Sequence, residues 1–527
     1  MVENVAKQSW IESLKVFFDI RSITMLFLGF SSGLPILLIF SSLSLWLREA
    51  GIERSAVTYF SWAALGYSFK FIWSPLVDKL PIPFLTKMFG KRRSWLLLSQ
   101  FFIIISISWM AFVDPSQSQN SLTYMALAAV LLGFSSATQD IAVDAFRIES
   151  AETELQAILA ATYIAGYRIG MIVAGAGSLF LADFFGSQMG AYSHAAWRNT
   201  YLIMAALMLI GVFTTFIRPE PVVKESKATH STKDYIRFFF LFLIVAACFV
   251  ACFFFSDELA KNLNEKLTVL FHNDSLADFV VGSLRLGLAV IVATLFAYGL
   301  GKSGIVNTDM VEEGYVEPVR NFFQRYGTSL SFLLLALVGL YRISDIVLGV
   351  ISNVFYQDLG FSKTEIASAV KTFGVFMSLL GGFLGGVMTK RFGVMRMLWW
   401  GAILAAGTNL LFMLLSAAGK NNFMLYSVIA ADNLAAGLAS AAFVAFLSSL
   451  TDVSFTAVQY AIFTSLMTLL PKVLGGYSGG MVDSIGYHNF FVFTTLIGVP
   501  VLYIVHLCGK KFELRDQIQT NEIFEED

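Results

Sequence analysis

The sequence predicts an all-α integral membrane protein: two six-helix bundles with two further transmembrane helices inserted between them. Three observations predict this. Of 527 residues, 57% are hydrophobic and only 14% are charged, with a mean hydropathy of +0.70. Apolar runs of roughly twenty residues recur along the chain, each long enough to cross a hydrocarbon core about 30 Å thick. Residues of the first half also return in the second at a constant offset: Gly133 with Gly437, Ser136 with Ser440, Ala137 with Ala441, Arg168 with Lys472 and Gly175 with Gly479. A buried cation thus matches a buried cation, as in halves related by an axis along the membrane normal.

Residues 1–21 read as a cytoplasmic leader, with residues 10–20 forming a short surface helix in which Glu12 and Lys15 alternate with Trp10, Ile11, Leu14 and Phe17. The first long apolar run lacks a small-residue cleavage site and is a span, not a cleaved signal. Fourteen spans are expected, centred near Leu34, Leu65, Ile104, Gly133, Ile169, Ala206, Ala246, Ala289, Val338, Leu379, Ala406, Ser440, Leu469 and Ile497. Residues 22–218 hold six and residues 327–508 another six. Residues 219–326 hold two, bracketed by polar segments at 218–237 and 302–325. Residues 509–527 end in Glu522, Glu525, Glu526 and Asp527 and form a solvated acidic tail. Placing both termini in the cytoplasm puts most of the 36 Lys and Arg residues on that side.

Some functions are excluded at this level. A net charge of −1 with no basic stripe points away from nucleic acid. Cys248, Cys252 and Cys508 all fall in apolar runs without ligand spacing, so neither a disulfide framework nor a metal site is expected. No cofactor is expected, and the lipid bilayer is the expected environment.

The densest signal is Gln139-Asp140-Ile141-Ala142-Val143-Asp144-Ala145-Phe146-Arg147, late in an otherwise apolar stretch. Spacings of four and three put its charges on one helix face. Charges cost several kcal/mol at membrane depth and mark ion or solute paths. Lys70, Arg168, Arg342, Asp345, Lys371, Asp432 and Lys472 also interrupt apolar runs, so both halves contribute charge to one central cavity. Lys70 and Arg168 are read as anion ligands for substrate. Arg342 and Asp345, three apart, either neutralise each other or meet substrate, and Asp432 and Lys472 complete the set. Asp140, nearer the middle of its span, is read as the proton-linked group and Asp144 as its partner. Trp62, Tyr67, Trp73 and Tyr163 supply flat faces with polar tips, suited to sugar rings. Glycines in Gly33-Leu34-Pro35, Gly381-Gly382, Gly385-Gly386 and Gly475-Gly476 permit close helix contact and bending.

Two loops carry a second signal. Asp78-Lys79 followed by Gly90-Lys91-Arg92-Arg93, and Thr389-Lys390-Arg391-Phe392-Gly393 in the second half, resemble the cytoplasmic loop of the major facilitator superfamily. That resemblance implies a conformational latch of Asp78, Arg92 and Arg93. The second copy departs from the pattern, with Thr389 in place of the carboxylate.

The whole set of Gly33-Leu34-Pro35, Phe69-Lys70-Phe71-Ile72-Trp73-Ser74-Pro75-Leu76-Val77-Asp78, Gly90-Lys91-Arg92-Arg93, Ser136-Ala137-Thr138-Gln139-Asp140-Ile141-Ala142-Val143-Asp144-Ala145, Gly166-Tyr167-Arg168-Ile169-Gly170-Met171 and Ala441-Ala442-Phe443-Val444-Ala445-Phe446-Leu447 resembles the AmpG-type muropeptide permeases. The resemblance implies a proton symporter of the bacterial inner membrane. Such a protein imports N-acetylglucosaminyl-1,6-anhydro-N-acetylmuramyl peptides for wall recycling and β-lactamase induction by alternating access, as a monomer in the bilayer with muropeptide and protons as its ligands. Acetyl-CoA transporters share the Gln-Asp-Ile-Ala-Val-Asp element and are the alternative. A membrane-embedded transferase would need a nucleophile, base or metal, and the five histidines show no such spacing.

Overall fold

The computed structural model describes residues 18–39, 41–52, 67, 69–188, 190–221, 231–271, 274–303, 307–361, 363–475 and 478–511. The surface helix expected over residues 10–20 and the acidic tail fall mostly outside these. Long apolar helices build the first half: α1 (Ile20–Glu49), the short α2 (Ser74–Lys79), α3 (Lys91–Phe112), α4 (Gln119–Glu149), α5 (Thr153–Ile172) and α6 (His194–Ile217). The inserted region follows as α7 (Thr232–Phe255), α8 (Asp257–Phe271) and α9 (Asp274–Lys302), and α10 (Glu317–Tyr326) leads back. The second half comprises α11 (Thr328–Leu340), α12 (Ile343–Asp358), α13 (Gly374–Phe392), α14 (Val394–Ala418), α15 (Asn422–Leu450), α16 (Thr456–Gly475) and α17 (Ser478–Leu496).

Among the described residues, 12 helices are long and apolar enough to cross a membrane, including both inserted ones. The expected total of fourteen goes beyond this. The span near Leu65 falls largely on residues 53–66, outside the described set, and emerges as a single 3-10 turn, Lys70–Ile72, followed by α2. The span near Leu469 is α16, whose apolar stretch Val453–Leu469 is shorter than the others. The α8 helix, amphipathic and without a buried residue, links the inserted pair. Arg285 on α9, a charge in an apolar run, is neutralised there by Asp257 at 2.9 Å and lies 4.1 Å from the centre of the Phe253 ring.

Lipid tails are as apolar as leucine, so close fit and hydrogen bonds hold such helices together instead of a hydrophobic drive. Both halves show it with small residues. Gly29 and Gly33 on α1 lie on the backbone of Tyr163 and Tyr167 of α5, while Gly166 and Gly170 lie on Leu26 and Phe30. In the second half Gly381 and Gly385 of α13 lie on Leu434 and Leu438 of α15, and Gly437 returns the contact at Ser378. The loops repeat too: Gly90 begins α3 at φ 87° and Gly393 begins α14 at φ 85°. Only a residue without Cβ takes that left-handed conformation cheaply. The close contact of α1 with α5 holds Tyr163 and Tyr167 at the depth of the charged segment of α4, where Tyr163 reaches Asp140.

Candidate functional site

The C-terminal half of α4 carries a run of buried polar side chains. Gln139 Nε2 donates to Ser32 Oγ at 3.0 Å and Ser31 Oγ at 3.3 Å on α1, which fixes the rotation of α4. Next to it, Asp140 is buried and accepts from the Tyr163 hydroxyl at 3.4 Å. It forms no ion pair among the described residues. Asp144 stands between two cations: Lys70 Nζ lies 3.5 Å from one carboxylate oxygen and Arg147 Nη2 3.6 Å from the other. The tight turn Lys70–Ile72, capped by the Trp73 N–H on Lys70 O, aims the lysine inward. Tyr67 completes this side by donating to Ser136 Oγ at 2.6 Å.

Arg147 is wholly buried and reaches both halves. Its Nη1 donates to Gln156 Oε1 at 3.0 Å and to Ser448 Oγ on α15 at 2.9 Å, and its guanidinium lies 5.1 Å from the centre of the Tyr460 ring on α16. A carboxylate in the first half is therefore linked through one arginine to two helices of the second.

A second charged group lines the other half. Arg342 and Asp345 pair at 3.6 Å, and Thr408 Oγ1 donates to Asp432 at 3.4 Å. Arg342 lies within electrostatic reach of both Asp432 and, across the divide between halves, Arg168. Arg168 forms no hydrogen bond or ion pair among the described residues, and Arg342 Nε is buried without a partner. Asp140 and Asp144 are engaged elsewhere, with Tyr163 and with Lys70 and Arg147. Two guanidiniums within electrostatic reach of each other, with the Arg342 Nε unpartnered, form a place for an anion.

One end of the molecule is closed between the halves. Arg92 Nη2 donates to Asp78 at 2.7 Å and to Glu149 at 2.5 Å, while the other oxygen of Asp78 accepts the Val458 N–H at 3.2 Å, at the start of α16. Negative charge at a helix N-terminus is favourable. Arg93 instead binds the carbonyls of Thr215 and Phe216, which pins the end of α6. Glu220 accepts the N–H groups of Arg92 and Arg93 at the start of α3, and burial pushes its carboxyl up. On the facing side Asp452 accepts from Asn321 of α10 and lies 3.7 Å from Arg325. Burial opposes its charge, but Ser454 and Arg325 hold its carboxyl below the usual value. Gly386 of α13 meets Ala161 and Ala157 of α5 nearby.

Other expected residues stand apart or out of view. Trp62 lies outside the described residues, as do the side chains of Lys371 and Lys472, although Lys472 is on α16. Trp73 turns away from the charges: its Nε1 donates to Thr138 Oγ1 at 3.1 Å, and it packs on Phe134 and on Phe242 of inserted α7. Thr389 is buried with its hydroxyl unpartnered, so the second loop copy shows no ion pair through that residue. The sequence reading missed Glu149, Gln156, Glu220, Ser448 and Gln459. Each is an ordinary polar residue near a helix end, and its role comes from tertiary contacts: Ser448 meets Arg147 across the halves, while Glu149, Gln156 and Glu220 meet arginines of their own half and Gln459 meets Asp452 and α10. No group of three metal-binding side chains occurs among the described residues.

Comparison with known proteins fits this geometry. The family model described as Major Facilitator Superfamily matches residues 22–304. The chain is 31% identical to the protein named AmpG 4 of Rickettsia felis, over 94% of this chain and 98% of that one. It is 28% identical to the anhydromuropeptide permease of Escherichia coli K12, over 95% of this chain and 82% of the other. Among solved structures, the proton:xylose symporter XylE superposes with a TM-score of 0.56 at 11% identity, covering 94% of this chain and 95% of that one. A bacterial homologue of the iron transporter ferroportin superposes at 0.57 and 10%, covering 93% and 98%. With two helical halves, a charged centre and these relatives, the chain is a membrane transporter, not an enzyme, and belongs to the AmpG group of the Major Facilitator Superfamily.

Proposed function

We propose that this protein is a proton-coupled importer of N-acetylglucosaminyl-1,6-anhydro-N-acetylmuramyl peptides, acting as a monomer in the bacterial inner membrane with both termini in the cytoplasm. The observation that carries the substrate is the similarity, over 95% of the chain, to a protein named anhydromuropeptide permease. The charged centre supports it. A muropeptide brings several carboxylates, and Arg168 with Arg342 offers unused donors to them. Its sugars would meet Tyr67, Tyr163 and Tyr167.

The closed end, where Asp78, Arg92 and Arg93 gather, is then the cytoplasmic end, and solute enters from the periplasmic side. A proton enters at Asp140, which forms no ion pair among the described residues and has Tyr163 to orient it. Substrate anions draw Arg168 and Arg342 together across the divide. Asp144 passes the change on, because its grip on Lys70 and Arg147 bears on Ser448 and Tyr460 through Arg147. When that grip and the Asp78 contact to Val458 release, the halves rock about the site and open inward. The imported product supplies wall recycling and β-lactamase induction.

Uptake of radiolabelled anhydromuropeptide into proteoliposomes, with and without an inward proton gradient, tests this reading. Gradient-dependent accumulation of muropeptide but not of acetyl-CoA is the expected result. Uptake of acetyl-CoA instead would move the protein to the other substrate class, and uptake of neither would remove both.

A further inference from the structure

The inserted helices enclose a space of their own. A partly open cavity of about 670 Å³ lies between α7, α9 and the face of the first half that carries Trp73 and Phe134. Its size is that of a site for one small-molecule ligand. Phe71, Trp73, Phe242, Phe249, Ala293 and Tyr298 set its character, which is apolar throughout its depth.

Three of the polar groups on its walls have already committed their protons. Trp73 Nε1 is bonded to Thr138, the Tyr315 hydroxyl to Ile72 O at 2.7 Å, and the Thr294 hydroxyl to Val290 O at 2.8 Å. The few hydroxyls on its walls, on Thr294, Tyr298, Thr308 and Tyr315, are too sparse to replace the hydration of a sugar or peptide. An apolar chain is what the cavity accepts. One end differs: Lys302, at the close of α9, places Nζ 4.7 Å from the centre of the Tyr298 ring and pairs with no carboxylate among the described residues. The acid beside it, Glu312, is occupied by Arg320 at 2.8 Å. The surroundings are lipid, since only 17% of the apolar window of α7 and 18% of that of α9 is buried within the protein.

We propose that this cavity is a binding site for one phospholipid of the surrounding bilayer, with an acyl chain filling the apolar depth and the phosphate set against Lys302. The occupant is argued from both ends: a dry apolar slot open to a bilayer, and a lone cation at its rim where a headgroup phosphate would sit. The bound chain rests on the turn Lys70–Ile72 and on Trp73, so it backs the element that carries Lys70 to Asp144. The site does not depend on which solute the protein carries.

The test uses the full-length protein in mild detergent with phosphatidylglycerol bearing a photoreactive group midway along one acyl chain. Cross-links mapped by peptide mass spectrometry are expected on the cavity-facing residues of both α7 and α9. Native mass spectrometry should show one lipid retained through delipidation. Ala293→Trp, which fills the cavity, is expected to lower both signals at least fivefold, and Lys302→Ala to abolish the preference for phosphatidylglycerol over diacylglycerol while the cross-links persist. Cross-links spread evenly over the outer faces of the helices in the unaltered protein would overturn the proposal without any variant. So would a phosphatidylglycerol preference that survives Lys302→Ala.

Discussion

At the scale of single residues, the centre is organised by which charges are satisfied and which are not. Asp144 has two cations within 3.6 Å, whereas Asp140 has a hydroxyl and Arg168 has no partner among the described residues. Removing one member of a buried charge pair leaves the other uncompensated, at a cost of about 3–5 kcal/mol. Asp144→Asn is therefore expected to loosen Lys70 and Arg147 and lower the melting temperature, while Asp140→Asn, which breaks no ion pair, leaves it nearly unchanged and abolishes gradient-driven accumulation; thermal scans beside uptake rates separate the two. Arg168→Ala is expected to weaken muropeptide binding at least tenfold, on the order of the 1.4 kcal/mol or more that one charge-assisted contact contributes, as read by a binding isotherm. An unchanged isotherm would remove Arg168 from the site.

At the scale of elements, the glycine contacts between α1 and α5 and between α13 and α15 set how near the charges come. A Cβ on Gly166 would overlap the Leu26 carbonyl oxygen. Overpacking of this kind costs about 1–3 kcal/mol, so Gly166→Ala is expected to lower the melting temperature, and Gly407→Ala, where nothing lies within 4 Å, to leave it unchanged. The junction of α10 with α16 carries a pH dependence. Asp452 has its carboxyl held below the ordinary 3.8, so its stabilising effect is present above that value and is lost as the pH falls through its folded value. The stability advantage of the unaltered protein over Asp452→Asn should accordingly shrink on acidification below about pH 4, as read by melting temperature against pH; an advantage that grows instead would reverse the sign. Much of this level was legible in the sequence. Apolar runs locate helices because the bilayer demands backbone pairing within each one, and of the glycines singled out there Gly33, Gly381, Gly385 and Gly386 make close contacts while Gly382 meets nothing within 4 Å. The turn at Lys70–Ile72 was not legible, since three residues of 3-10 helix leave no period to read.

At the scale of the whole molecule, the two halves meet at one end through Asp78 with Val458, Arg147 with Ser448, and Gly386 with Ala161. Of the candidate site, the sequence disclosed the charges and two of the pairings, Arg342 with Asp345 and Arg92 with Asp78, but not the partners of Asp140, Asp144 and Arg147 across the fold. Tertiary packing assigned Tyr163 to Asp140, and Lys70 with Arg147 to Asp144. Trp73, read as a sugar platform, serves the contact with α7, because its side of the turn faces away from α4's charges. Cross-half partners such as Arg147 and Ser448 lie far from each other in the chain, and no local pattern announces them. If this closed end is the cytoplasmic gate, a disulfide between Ala161→Cys and Gly386→Cys should stop transport, and reduction should restore it, because their Cβ positions lie 3.0 Å apart, near the roughly 3.5–4.5 Å of a native bridge. Full transport by the oxidised protein would place the gate elsewhere.

The measurement that bears most directly on coupling is the external pH of a lightly buffered suspension of proteoliposomes when anhydromuropeptide is added without an imposed gradient. Alkalinisation outside is expected as protons enter with the solute, and its absence is expected with Asp140→Asn. Entry of labelled muropeptide into the same vesicles with no change in external pH would contradict proton coupling.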